Sequence, residues 1–201
     1  RPLVSLTYVL DWAVSGGSPA WFHAMNVLWN AAACALVFRF LCAFADPPVS
    51  LAGALLFASH PVHTEAVANV VGRAELMAAV FCLAALTIWV RTAPMRMPRR
   101  RAAAVLALYV LALLSKESAV MLPALLALAD AARGALLPAT ARDWLRRNAV
   151  MFAVFAGIAV AFIAVRFAVL GAMAPTLRDP VLDVAQSPLH RLWTALQAWP
   201  M

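Results

Sequence analysis

Charge is what this chain is short of. Of its 201 residues, 12% are Asp, Glu, Lys or Arg, against about 25% in a soluble globular domain. Acid is scarcer still, with 9 Asp plus Glu against 16 Lys plus Arg and a formal net charge of +7. With 65% hydrophobic residues and a mean hydropathy of +0.86, there is too little polar surface to cover a wetted globule. A cytosolic enzyme, a nucleic-acid-binding module and a disordered tail are all excluded. Cysteine is scarce too, and Cys34, Cys42 and Cys82 all sit in apolar runs. Cys34 and Cys42 lie about 12 Å apart along a helix, too far for a disulfide, so all three read as small buried hydrophobes. There is no glycine-rich phosphate loop, no Ser-His-Asp order, no CxxC, no defensible repeat and no n-region, h-region and cleavage site of a signal peptide. The chain opens on Arg1-Pro2-Leu3 without an initiator Met and stops on Trp199-Pro200-Met201 in mid-pattern, which reads as a segment of a longer protein.

What is present is long apolar runs. A bilayer core of about 30 Å takes about 20 apolar residues in a helix, and somewhat fewer inside a bundle. Trp21 to Phe44 is the cleanest span, opened by Ser18 and Pro19 and stopped by Asp46-Pro47-Pro48. Val49–Ser59, Leu76–Val90, Ala102–Leu114, Ala119–Ala132 and Asn148–Leu170 follow. The short runs 49–59 and 102–114 either span or re-enter. Leu3 to Trp12 is too short to cross and reads as an interfacial helix. The expectation is an all-α, polytopic membrane helix bundle over 1–201, with about six crossing or re-entrant helices.

Arginine sets the orientation. The loop 91–101 holds Arg91, Arg96, Arg99, Arg100 and Arg101, and the loop 133–147 holds Arg133, Arg142, Arg146 and Arg147. Both are expected on the cytoplasmic side. Parity then puts 1–20, 60–75, 115–118 and 171–201 outside. All four histidines (His23, His60, His63 and His190) fall on or beside that outer face, with Asp11, Glu65, Glu75, Glu117, Asp179 and Asp183. Function is expected there, since polar groups at a membrane face mark substrate paths by default. The net charge is thus a topology signal, and no nucleic-acid partner is expected.

The densest polar cluster is His60-Pro61-Val62-His63-Thr64-Glu65-Ala66-Val67, continuing to Gly72-Arg73-Ala74-Glu75. Two histidines and a glutamate could ligate a metal or act as acid and base. Helical zinc motifs use an i,i+4 His pair, whereas His60 and His63 straddle a proline, so no metal is expected. The plainer reading is a solvated interfacial loop with Glu75 at the start of the next helix. Lys116-Glu117 reads either as a hairpin-tip ion pair or as a cation placed for a phosphate head group. Arg166, near the outer end of its span, and Arg1 are further candidate phosphate ligands, and Trp12, Trp21, Trp193 and Trp199 read as an aromatic belt.

These residues resemble a family. Arg1-Pro2-Leu3, Phe22-His23 with Asn26, Leu56-Phe57-Ala58 leading into the block His60 to Leu76, and Leu114-Ser115-Lys116-Glu117 look like the transmembrane and tetratricopeptide-repeat-containing protein O-mannosyltransferases and their bacterial relatives. Arg166-Phe167, Leu170-Gly171, Ser187-Pro188-Leu189, Arg191 and Thr194-Ala195-Leu196 fit as well. The block from His60 to Glu75 is the specific part. The resemblance implies a GT-C glycosyltransferase with its site on the lumenal or periplasmic side. Its donor would be a polyprenyl- or dolichyl-phosphate sugar, mannose in eukaryotic members, and its acceptor a Ser or Thr hydroxyl of a secreted or membrane protein. No cofactor is implied. The family's acidic base is expected upstream of residue 1, so Asp11 stands outside that motif. The first helix and the C-terminal repeats are likewise expected beyond this segment. On this reading His63, Arg73, Lys116 and Arg166 line the donor-phosphate site, Glu65 and Glu75 orient the sugar or those cations, and Arg1, His23 and His60 stand by. A bacterial inner membrane is expected from the Ala- and Arg-rich usage, or the endoplasmic reticulum in a eukaryote. The competing classes are a transporter and a catalytically inactive anchor for a repeat domain.

Overall fold

The structure is a computed structural model and describes residues 1–92, 97–133 and 141–170. The expectations placed on His190, Asp179, Asp183, Trp193 and Trp199 lie outside the described residues. Eight helices and no strand occur among the described residues: α1 (Pro2–Ser15), α2 (Pro19–Leu41), α3 (Pro47–Ser59), α4 (His63–Ala68), α5 (Arg73–Val90), α6 (Arg99–Ser115), α7 (Leu122–Ala132) and α8 (Ala141–Leu170). Short 3-10 turns, Val70–Gly72 and Glu117–Met121, precede α5 and α7. The chain divides into two compact units, Arg1–Ala159 and Val160–Met201, with the boundary inside α8.

Proline punctuates the starts of α1, α2, α3 and α7, where a missing N–H costs nothing. α1 ends on Gly16-Gly17, both with positive φ, and the indole of Trp12 packs where a Cβ on Gly17 would sit. Among the described residues, three helical stretches are long and apolar enough to cross a membrane: Pro19–Leu41, Val70–Val90 and Arg142–Val169. This is an all-α membrane protein. The expected short runs appear as α3, α6 and α7, with 13, 17 and 11 residues.

Contacts in the first unit show how the short helices are used. α5 is the buried axis, covering Ala74, Leu76, Met77, Ala85, Trp89 and Val90. α6 runs antiparallel along its whole length. At one end Arg101 donates to the Thr92 hydroxyl (3.3 Å), and at the other Lys116 forms an ion pair with Glu75. α3 is shorter than the bundle. Gly53 lies against the Leu41 side chain near the end of α2, and a Cβ there would stand 2.8 Å from Leu41 Cδ1. Phe57 and Asn30, the latter about 16 Å along α2 from its start, then line one cleft. α4 and the 3-10 turn pack instead against α2 and α5.

The polar groups sort by end. The ends of α2, α5 and α7 meet the starts of α6 and α8. Arg91 donates to the Arg39 carbonyl (3.4 Å), Arg133 donates to the Val90 carbonyl, and Trp144 of α8 donates to Asp130 of α7 (2.7 Å). The opposite end gathers Arg1, Asp11, the His60–Glu75 block and Lys116-Glu117. The lopsided distribution expected from loop counting is therefore built into the bundle.

Candidate functional site

The His60–Glu75 block folds as a plug that caps the recess beside α3. Pro61 starts a turn in which the Val62 N–H donates to His60 Nδ1 (3.2 Å). His63 opens α4 with its ring against Phe57, 4.3 Å between centroids. α4 stops at Asn69, whose side chain accepts from the Val71 N–H (3.1 Å) and turns the chain into the 3-10 segment. Gly72 closes the plug. A Cβ there would stand 2.2 Å from the Ala66 carbonyl oxygen, so the backbones of α4 and α5 meet where only glycine fits.

Buried Asn26 of α2 ties the plug to the bundle. Its Nδ2 donates to the carbonyls of Asn69 (3.0 Å) and Val67 (3.4 Å), and its Oδ1 accepts from Arg73 Nε (3.0 Å). Arg73 is 1% exposed and its fork is fully engaged. Nη1 pairs with Asp11 and reaches the Thr7 hydroxyl (3.4 Å), while Nη2 donates to the Phe22 carbonyl (3.2 Å). Its guanidinium carbon lies 4.6 Å from the centre of the Tyr8 ring. Asp11 also accepts from Trp21 Nε1 (3.2 Å). The Tyr8 hydroxyl donates to the Val70 carbonyl (2.6 Å). Burial pushes the Tyr8 phenol above its ordinary range, and the nearby Arg73 and Arg1 charges partly offset that. One arginine thus pins α1, α2 and α5 together.

A cleft of about 570 Å³ opens beside this knot, lined among others by Arg1, Asn30, His63, Glu65, Asn69 and Glu75. A smaller recess of about 330 Å³ shares Asn30 and His63 and adds His60 and Thr64. Lys116 pairs with Glu75 at the rim, and Arg1 Nε lies 3.6 Å from Glu117. The Asn30 side-chain oxygen is buried and accepts no hydrogen bond.

Four of the candidate residues, Arg1, His63, Glu65 and Glu75, are therefore brought to one cleft, with Lys116 on its rim and His60 next door. Arg73 is not in the lining; it sits behind it as an anchor. His23 is exposed on α2 and lines neither recess. Arg166 lies in the second unit, Val160–Met201. Among the described residues, no three His, Cys, Asp or Glu side chains stand close enough to hold a metal ion. Asn30, which lines both recesses, and Thr7 and Asp11, which hold Arg73 behind them, were not among the candidate site residues. Asp11 carried a signal, an acid in an apolar interfacial helix, but Thr7 and Asn30 carried none.

Comparison with known proteins bears out the resemblance read from the sequence. The chain is 40% identical over 92 residues to the human protein O-mannosyl-transferase TMTC3, covering 46% of this chain and 10% of that protein. It is 41% identical over 141 residues to the Drosophila melanogaster protein O-mannosyl-transferase Tmtc2, covering 67% and 15%. It is 43% identical over 98 residues to the human protein O-mannosyl-transferase TMTC4, covering 41% and 13%. The matched stretch thus spans about a tenth to a seventh of the length of these curated relatives. These relatives are animal proteins. No family model matches the chain, and no solved structure does.

Proposed function

We infer that this chain is the membrane-embedded core of a protein O-mannosyl-transferase of that family, and that its cleft binds a lipid-phosphate sugar. The whole protein would move a sugar, mannose by analogy with its relatives' names, from a polyprenyl-phosphate donor to a protein Ser or Thr hydroxyl. The observation that carries the reading is the cleft beside the Arg73 knot, where Arg1, His63, Glu65 and Glu75 converge with Lys116 at the rim. It lies at the end of the bundle opposite the arginine-rich loops, hence on the outer or lumenal side.

In such a transfer the acceptor oxygen attacks the anomeric carbon, its proton goes to a carboxylate, and the bond to the lipid phosphate breaks. The departing phosphate needs cations aimed at its growing charge. Lys116 and Arg1 supply that charge at the mouth, and His63 supplies a ring nitrogen inside. Glu75, already paired with Lys116, holds that cation until the donor arrives. Glu65 is exposed in the same cleft and faces the sugar. Arg73 acts through the fold, fixing the plug on which His63 and Glu65 sit.

The test is sugar transfer by the full-length protein, with polyprenyl-phosphate mannose and a secreted acceptor. Lys116→Ala should reduce transfer at least tenfold while the protein stays folded, the scale of one lost charge on a leaving phosphate. Transfer unchanged by Lys116→Ala and by His63→Ala would overturn the assignment of the cleft.

A further inference from the structure

The arginine-rich end carries a further recess that the proposed transfer reaction does not use. A groove of about 360 Å³ lies where the ends of α2, α5 and α7 meet, lined by Phe40, Phe44, Leu86, Leu125, Leu128 and Ala132 with almost no polar surface. On α7 its wall is the i, i+3, i+4, i+7 row Leu125, Leu128, Ala129, Ala132, about 10 Å long. This wall is open rather than packed: Leu128 is 64% exposed and Leu125 41%.

Three arginines adjoin this end of the helices, though none is in the groove's lining. Arg133 follows Ala132 directly, and its side chain donates to the Val90 carbonyl. Arg91 follows Val90 and donates to the Arg39 carbonyl at 3.4 Å, and Arg39 precedes Phe40. The side chains of Arg91 and Arg133 thus reach the backbone at the ends of α2 and α5, next to residues that line the groove. No carboxylate among the described residues forms an ion pair with any of the three. Asp130, the acid nearest in sequence to Arg133, is 3% exposed and accepts instead from the indoles of Trp89 and Trp144.

We propose that this groove is a binding site for an anionic phospholipid of the arginine-side leaflet. The first part of one acyl chain would lie along α7 between Phe40, Phe44, Leu86 and Leu128, with the phosphate on Arg39, Arg91 and Arg133. The chemistry of the recess is amphiphilic in the right order, an apolar slot beside arginines that form no ion pair with a carboxylate among the described residues. A lipid-phosphate sugar does not suit it under the functional reading above, because the donor's head group belongs at the other end of the bundle. Loop arginines alone satisfy the insertion rule without meeting at a slot. Each arginine near an anionic head group contributes about fivefold in affinity at low salt, so three give a preference on the order of a hundredfold over a zwitterionic lipid.

The experiment is lipid retention by the full-length protein in detergent. It is titrated with phosphatidylglycerol or phosphatidylcholine of identical acyl chains and read by native mass spectrometry. The expected result is one phosphatidylglycerol retained in strong preference. That preference should shrink in high salt and disappear in the Arg39→Gln, Arg91→Gln, Arg133→Gln triple variant. Leu128→Trp fills the slot from an already exposed position, so folding is spared, and it should lower retention of both lipids. Equal retention of the two lipids by the unaltered protein would overturn the proposal. So would a phosphatidylglycerol preference that survives both variants, or displacement of the bound lipid by an equal concentration of polyprenyl phosphate.

Discussion

Two buried charges, one at each end of the bundle, are handled in opposite ways. Arg73 is 1% exposed and every arm of its fork has a partner: Asn26, Thr7, Asp11 and the Phe22 carbonyl. Asp130 is 3% exposed, yet only Oδ2 is used. It accepts from Trp89 (3.0 Å) and Trp144 (2.7 Å), while Oδ1 is buried without a hydrogen bond. The first charge is neutralised by a carboxylate and joined to a polar mesh. The second is held by neutral indole donors inside an aromatic cluster of Trp89, Trp144, Phe152 and Phe155. Arg73 therefore organises a site, because its partners position the plug and cleft. Asp130 ties α5, α7 and α8 together and presents nothing outward.

The contrast predicts unequal damage. Asp11→Ala leaves the Arg73 guanidinium buried without its counter-ion, and breaking a buried pair from one side costs about 3–5 kcal/mol. The expected outcome is a large drop in thermal midpoint of the detergent-solubilised protein, together with loss of transfer. Arg73→Lys should not rescue, since an ammonium cannot reach four acceptors in a fork or stack on Tyr8. A melting curve unmoved by Asp11→Ala would show that the knot is not what holds α1. Gly72→Ala comes next. A methyl within contact distance of the Ala66 backbone forces α4 off α5, costing about 1–3 kcal/mol, and should impair transfer as the plug shifts.

At the other end the effect shrinks. Asp130→Asn keeps one oxygen for the two indoles but loses the charge on the acceptor, which is worth about 1–1.5 kcal/mol. The melting point should fall slightly, and transfer at the far end should keep its wild-type rate. A large loss of transfer in Asp130→Asn would erase the distinction between an organising charge and a tying one.

Much of this was legible in the sequence. Arginine counting separated the two ends, because the arginines and most other polar groups fall in different loops and no packing detail is needed to see it. The block His60 to Glu75 was legible as one unit by its density of polar groups, but the break at Asn69 that turns α4 into the 3-10 segment was not. Nor was the role of Arg73. Its partners Thr7, Asp11, Phe22 and Asn26 come from two other helices, and burial is a property of their packing, invisible in a one-dimensional pattern. Asp130 was missed for a similar reason. It lies in an apolar run before Arg133, and only the fold brings Trp89 and Trp144 to it. The run 102–114, open in the sequence between spanning and re-entering, is α6, which runs the full length of α5.

The smallest expected effect on stability belongs to Glu75–Lys116, and it is the most telling for the site. Unlike the Arg73 knot, this pair stands at the surface, with the Glu75 side chain 53% exposed and the Lys116 side chain 21%. Solvent screening limits such a bridge to about 0–1 kcal/mol. Glu75→Gln should therefore leave the melting curve almost unmoved. If Glu75 serves to hold Lys116 ready for the donor phosphate, the same substitution should change donor saturation, moving KM for the lipid-phosphate sugar more than kcat. Raising the salt concentration should weaken both the pair and the donor's attraction, so the variant and the unaltered protein should converge in KM. A variant indistinguishable from the unaltered protein in KM at low salt would mean that the pair only fastens α6 to α5. The difference between the two ends would then lie in the buried knot alone.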